Sequence, residues 1–326
     1  MPAGRCRSVR AVMTIATTAP AQEGASAPER PARRRMRALD SVRRHYSAWL
    51  FLAPALILFA VFKFVPMIRA ISMSFKNVRP YLGDQWVGLD NYRSVLTDSS
   101  FLSACWHTAV IAVAQTGGSM LVGLVLALLL EGTARHLWIV RTAVFLPTVT
   151  AMAVVAALWR IIYYPAADGA LNSVLGWFGL GPSQYLDSPH TALISVLGVG
   201  IWRSAPYDMM IFLAGLAGVD RTLYEAAEVD GASIWQRLTK VTFPALRPVF
   251  GIVLTLAAIR GLRVFTEIYL LTNGGPSGST EVVMTLVYKL GLERNELGVA
   301  SAGAMILLVA TIVLTLIAQS RRRRVR

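Results

Sequence analysis

Asp220-Arg-Thr-Leu-Tyr-Glu225-Ala226-Ala227-Glu-Val-Asp230-Gly231-Ala232-Ser-Ile-Trp-Gln-Arg-Leu-Thr-Lys-Val-Thr-Phe-Pro244-Ala-Leu-Arg-Pro248 is the stretch of the 326-residue chain on which its reading turns. Thr222 with Glu225 fits a capping box, in which a hydroxyl and a carboxylate satisfy the free N–H groups that open a helix. Asp230-Gly231 ends that helix, because glycine enters the left-handed region without a steric cost. Ser233 with Gln236 fits a second capping box, and Pro244, which has no N–H to donate, is expected to stop the second helix. The segment therefore reads as two short helices with a sharp break. Such an elbow is shaped to dock into a groove of another protein, and movement imposed on it would reach both flanking segments.

Those flanks are apolar. The chain is 55% hydrophobic and 15% charged, well short of the quarter of charged residues usual in soluble domains. A bilayer core of about 30 Å takes about 20 apolar residues as a helix. Six runs qualify: Trp49 to Met67, Thr108 to Leu130, Ala143 to Tyr163, Ala192 to Val219, Phe250 to Thr272 and Val299 to Ala318. The expected fold is all-α, a polytopic membrane protein of six transmembrane helices over residues 49–320, with the elbow (220–248) between the fourth and fifth.

With six spans both termini share a side. On that side stand ten Arg in residues 1–48, Arg135 and Arg141 in the second connection, Arg221, Arg237, Lys240 and Arg247 in the fourth, and five Arg in residues 321–326. The opposite side has seven: Arg69, Lys76, Arg79, Arg93, Arg160, Lys289 and Arg294. Basic residues concentrate in cytoplasmic loops, so both termini and the elbow are expected in the cytoplasm. The same distribution assigns the net charge of +14 to membrane orientation and not to nucleic acid. Residues 1–48, rich in Arg, Ala, Pro and Ser, hold nothing that could form a core and read as a disordered cytoplasmic tail. Residues 321–326 read as a second basic tail. Trp49, Trp86, Trp106, Trp138 and Trp159 lie near span ends and read as interfacial anchors, and Lys63 as a snorkelling cation.

Glu225-Ala226-Ala227, Asp230-Gly231-Ala232 and Pro244 match in spacing the EAA loop of binding-protein-dependent ABC permeases, and the chain resembles that family over nearly all of its length after residue 48. Pro54 in the first span, Val87-Gly-Leu-Asp-Asn-Tyr92, Leu213-Ala-Gly-Leu216 and Ile268-Tyr-Leu-Leu-Thr-Asn-Gly-Gly-Pro276 resemble the sugar-type branch, in particular the first permease of a heterodimeric carbohydrate or glycerol-phosphate importer. The resemblance implies the type I importer fold and a coupling role for the loop, which in that family seats on an ATPase. It also implies three partners: a second permease subunit, an ATPase dimer that holds ATP and Mg, and an extracellular solute-binding protein. The location implied is the inner membrane of a prokaryote. One departure lies in the fifth span, where many members have an acidic residue soon after an aromatic. Here Phe265 is followed by Thr266, and Glu267 comes one place later.

Ionisable groups at membrane depth are costly and by default face a cavity or each other. The fourth span has Arg203 and Asp208, the fifth Arg260, Arg263 and Glu267. Arg263 and Glu267, four apart, can pair on one helix face, with Arg260 on the same stripe. Antiparallel spans would put Arg203 and Arg260 at similar depth. With the aromatic faces of Trp202, Tyr207 and Tyr269, these residues are the candidate solute path for a hydroxyl-rich or anionic solute.

No lysine follows a glycine, so no Walker A loop is present and any ATP would be held by another subunit. The four histidines show no metal spacing, no Gly-x-Ser-x-Gly elbow occurs, and Cys6 and Cys105 match no redox motif. No metal site, cofactor or enzymatic centre is expected on this chain. The functional expectation is a membrane permease subunit of an ATP-driven importer of sugars or polyols. An importer of amino acids, peptides or glycerol phosphate and an ion-coupled secondary transporter are the rivals.

Overall fold

The computed structural model describes residues 49–79 and 83–323; the N-terminal segment expected to be a tail lies outside them. Within these residues the chain is helical apart from a two-residue antiparallel ribbon, β1 (Lys76–Asn77) with β2 (Gln85–Trp86). The chain divides into two compact units at Phe64/Val65. In the first, Trp49 to Phe64 is helical with its large apolar side chains exposed, and the Lys63 ammonium lies 5.8 Å from the Phe59 ring centre.

Four helices are long and apolar enough to cross a membrane: α1 (Trp49–Met73), α3 (Ser99–Leu129), α9 (Ile234–Leu262) and α12, apolar over Leu297–Ile317 and helical to Arg323. Short α2 (Asp90–Thr97) precedes α3, and two further short helices are α6 (Ala170–Gly176) and α11 (Val283–Tyr288). A fifth crossing follows if α4 (Arg135–Val149) and α5 (Met152–Ile162) count as one, although they meet at 97°. Helix α7 (Ala192–Ala217) has 26 residues, about 39 Å at 1.5 Å each, but Arg203, Pro206 and Asp208 make its middle the most polar of the set. The expected count of six spans therefore resolves into four clear crossings, one bent pair and one long helix with a polar centre.

The expected third span, Ala143 to Tyr163, is not one straight helix. Pro147 sits inside α4 and supplies no N–H; three residues on, Thr150 (ψ 139°) and Ala151 (ψ 132°) leave helical geometry. The Leu146 carbonyl accepts from both the Thr150 N–H (3.1 Å) and the Thr150 hydroxyl (2.8 Å), closing the last turn before the break. The expected fifth span, Phe250 to Thr272, is also corrected. Helix α9 stops at Leu262, Arg263 caps it (φ −104°, ψ 17°), and a separate turn, α10 (Thr266–Leu271), follows. The last helix continues through residues 321–323, which the sequence had suggested to be tail.

Helices α3, α7 and α9 make the centre of the second unit. Between helices in lipid, where no hydrophobic drive operates, close approach through small residues supplies the attraction. At Gly261 an added Cβ would lie 2.6 Å from the Ala112 Cα, and at Gly123 2.8 Å from the Ala205 carbonyl oxygen. Around these contacts one apolar cluster gathers Leu124, Met209, Phe212, Leu216, Leu246 and Val253 at the end of the bundle nearest residue 220. A second joins Ile111, Val155, Val199, Ile268 and Leu271 toward the other end, where α10 packs on α5. The outward faces carry exposed Val113, Leu121, Leu129, Val309, Ile312 and Leu316, an apolar exterior that suits hydrocarbon.

Candidate functional site

The elbow forms, with two corrections to its expected anatomy. Helix α8 (Arg221–Val229) is capped by Asp220, whose carboxylate accepts from the Thr222 N–H at 3.0 Å, and not by Thr222 with Glu225. That hydrogen bond holds the Asp220 carboxyl below its ordinary pKa. At the far end Ala232 N–H donates to the Ala227 carbonyl (2.8 Å) and Gly231 N–H to the Glu228 carbonyl (3.0 Å). Together they make a complete Schellman closure, with Gly231 at φ +71° and open space around it. Gly231 is thus required for its backbone angle alone.

The Ser233–Gln236 capping box is present in both directions, at 2.8 and 3.3 Å. The helix that it opens, however, does not stop at Pro244. It passes through a π turn, Leu238–Thr242, into the long helix, so that α9 runs from Ile234 to Leu262 without interruption. The wider turn, in which the Phe243 N–H donates to the Leu238 carbonyl, puts Pro244 where a missing N–H costs little. The second arm of the elbow is therefore the beginning of the span. The Tyr224 hydroxyl lies 3.0 Å from that of Thr242, and Arg237 is 3.4 Å from Glu228, tying the first arm to the second.

Glu225, Ala226, Asp230 and Pro244 are exposed, with Ala227 and Ala232 half-buried. Beside them the structure exposes four large apolar side chains that were not among the sequence candidates: Leu223, Val229 (88% exposed), Ile234 (78%) and Trp235 (69%). Apolar residues at N-cap-adjacent and C-terminal positions of two capped helices were the available signal. Grouped at one bend, they form a patch of the sort that marks an interaction site.

The second candidate region lies where α7, α9 and α10 meet. Asp208, with no exposed surface, accepts from the Arg260 guanidinium at 2.6 Å and from the Ser119 hydroxyl of α3 at 2.7 Å. Arg260 also lies 4.9 Å from the Tyr207 ring centre, within cation–π range. Arg203 pairs with Glu267 at 3.1 Å. The expected Arg263–Glu267 pair does not exist, because the helix ends between them: Glu267 turns to Arg203, and Arg263 is an exposed cap off the Arg260 stripe. Arg260 meets Asp208, five residues beyond Arg203 along α7.

Both helix breaks adjoin this region. The Thr148 hydroxyl, just before the α4–α5 break, donates to the Arg203 carbonyl at 3.1 Å, while Glu267 follows the α9–α10 break. Irregular backbone at membrane depth is tolerated where it is buried in protein or lines a cavity. Trp202 packs edge-on against Trp159 at 5.4 Å, and Trp159 also contacts Tyr163. Trp159 is therefore an internal packing residue and not the interfacial anchor expected from its position. Tyr269 stacks on Phe265 (5.3 Å) and meets Tyr288 edge-on (5.2 Å). Of the eight path candidates, Arg203, Asp208, Arg260 and Glu267 form the ion pairs, Trp202 and Tyr207 border them with exposed rings, and Arg263 and Tyr269 sit apart.

Long apolar helices around a paired polar strip, ending in a capped and exposed elbow, define a polytopic membrane permease. The chain belongs to the family described as binding-protein-dependent transport system inner membrane component, whose model matches residues 119–326. It is thus an ABC-transporter permease, a transport subunit and not an enzyme. Among its relatives, the arabinooligosaccharides transport system permease protein AraP of Bacillus subtilis is 33% identical over 272 residues, covering 82% of this chain and 86% of that protein. The trehalose/maltose transport system permease protein MalF of Thermococcus litoralis is 30% identical, covering 82% and 91%. A chain of a bacterial ABC transporter that imports the acidic polysaccharide alginate superposes with a TM-score of 0.78 at 28% identity, covering 88% of this chain and 99% of that one. A chain of a bacterial alginate ABC transporter solved in complex with an alginate pentasaccharide-bound periplasmic protein superposes with a TM-score of 0.77 at 27% identity, covering 88% of this chain and 97% of that one.

Proposed function

We propose that this chain is one of two permease subunits of an ATP-driven importer for sugars, oligosaccharides or related polyols, with its termini and elbow in the cytoplasm. The observation that carries the reading is the elbow. Its apolar patch has no covering among the described residues, and its second arm is continuous with α9. An ATPase seated on Leu223, Val229, Ile234 and Trp235 would move α9 as a rigid lever, with Glu225, Ala226, Ala227, Asp230, Gly231, Ala232 and Pro244 fixing the bend. ATP and Mg belong to that partner. Closure of an ATPase dimer would draw two such elbows together and reverse which side of the membrane is open, and an external binding protein would supply the solute.

The sugar class rests on the relatives named for arabinooligosaccharides and for trehalose and maltose, and on the alginate neighbour. The polar strip suits it. Trp202 and Tyr207 offer ring faces to sugar carbons, and the paired Arg203–Glu267 and Arg260–Asp208 offer hydrogen bonds without a large net charge. The test is affinity purification of the tagged chain from its native membrane, followed by uptake assays in proteoliposomes. Co-purification of an ATPase and a second permease, with oligosaccharide uptake that needs ATP inside and a binding protein outside, is the expected result. Uptake driven by an ion gradient in the chain's sole presence would overturn the reading, and ATP-driven uptake of amino acids or peptides alone would overturn the sugar class.

A further inference from the structure

At the elbow end of the bundle a cavity of about 840 Å³ opens between α3, α7 and the two arms of the elbow. Its floor is apolar and comes from the ends of the spans: Leu128, Leu213, Leu216 and Leu238. Its rim carries Arg141, Arg221 and Arg237 against one acid, Glu131. The three guanidiniums are in different states. Arg141 donates to the Leu130 and Gly132 carbonyls that close α3, so it is committed to the fold. Among the described residues the Arg237 side chain is held only by Glu228, whose side chain is largely exposed. Arg221 has no hydrogen-bond or ion-pair partner among the described residues.

We propose that this cavity binds an anionic phospholipid, with the headgroup phosphate between Arg221 and Arg237 and an acyl chain on the leucine floor. Each half of that ligand answers one half of the site. A soluble anion would leave the leucines wet, and a neutral lipid would leave the Arg221 guanidinium uncompensated. The cavity also stands where span ends meet elbow helices, the depth at which headgroups lie, and basic pockets between transmembrane helices are suited to anionic headgroups. A lipid held there would fill the space beneath the elbow and stiffen its hinge on α7. The inference concerns the lipid site alone and holds for whichever solute the permease carries.

Native mass spectrometry of the chain, purified with its assembled partners in mild detergent and stripped of loose lipid, tests it. Titration with phosphatidylglycerol should show one saturable lipid on this chain, bound at least tenfold more tightly than phosphatidylcholine. Glycerol phosphate, the headgroup without chains, should not displace it, and 0.5 M salt should weaken it. Equal retention of both lipids would overturn the proposal by showing a purely apolar cavity. Displacement by glycerol phosphate would overturn it in favour of a soluble anion, and absence of any saturable lipid would do so by showing the space is filled by protein. In Arg221→Gln/Arg237→Gln the preference for phosphatidylglycerol should fall at least tenfold, with an unchanged melting temperature in lipid-free detergent. An unchanged preference in that variant would also overturn the assignment, and the wild-type titration decides the matter even if the variant folds poorly.

Discussion

The two ends of α9 contrast sharply. At Ile234 and Trp235 the helix presents large apolar side chains to the exterior, and the neighbouring Glu225 and Asp230 are exposed as well. At Arg260 the same helix pairs a partly exposed guanidinium with the fully buried Asp208 of α7, which also accepts from Ser119, every partner coming from within the chain. The first end is incomplete without another molecule and the second is satisfied by itself. Folding requires the second, because an unpaired buried charge is far more costly than an exposed apolar patch. The first is free to be specified by a partner. Stability and coupling are therefore separable along one helix, and substitutions at its two ends should differ in what they damage.

The contrast orders the expected effects. Arg260→Ala leaves the fully buried Asp208 without its guanidinium and should destabilise the chain by about 3 kcal/mol, read as a lowered melting temperature and poor recovery in detergent; a melting temperature equal to wild type would break the distinction. Gly261→Ala forces a methyl against the Ala112 backbone and should cost about 2 kcal/mol by overpacking, on the same assay. Gly231→Ala meets no atom but must hold φ +71°, and should cost about 1 kcal/mol, seen as faster hydrogen exchange in residues 221–232. Trp235→Ser should change stability by no more than about 0.5 kcal/mol while reducing ATP-driven uptake at least tenfold. A Trp235 variant that transported normally would remove the elbow's apolar patch from the account.

Much of this was legible in the sequence. The Ser233–Gln236 box and the Gly231 turn follow from side-chain chemistry at fixed spacing, and local rules of that kind do not depend on the rest of the fold. The positions of the first, second and last spans followed from apolar run length, which is set by the bilayer. The failures have a common physical form: proline and pairing both depend on neighbours. Pro244 reads as a stop unless a π turn precedes it, and Ala143 to Tyr163 reads as one continuous span although the helix breaks three residues after Pro147. Arg263 and Glu267 have helical spacing, but the helix ends between them, so that Glu267 finds Arg203 across 64 positions of sequence. The exposure of Val229 and Ile234 was hidden for the opposite reason, since a sequence shows apolar residues but not which of them the fold leaves uncovered.

The central claim is that the elbow seats on an ATPase, and cross-linking at Val229 tests it most directly. The chain with Cys6 and Cys105 changed to serine and Val229→Cys introduced would be treated with a short thiol-reactive photo-cross-linker in native membranes, and the adduct identified by mass spectrometry. The account predicts an adduct with a Walker-motif ATPase whose yield changes when ATP is trapped. An adduct with some other protein, or none while uptake persists, would contradict it.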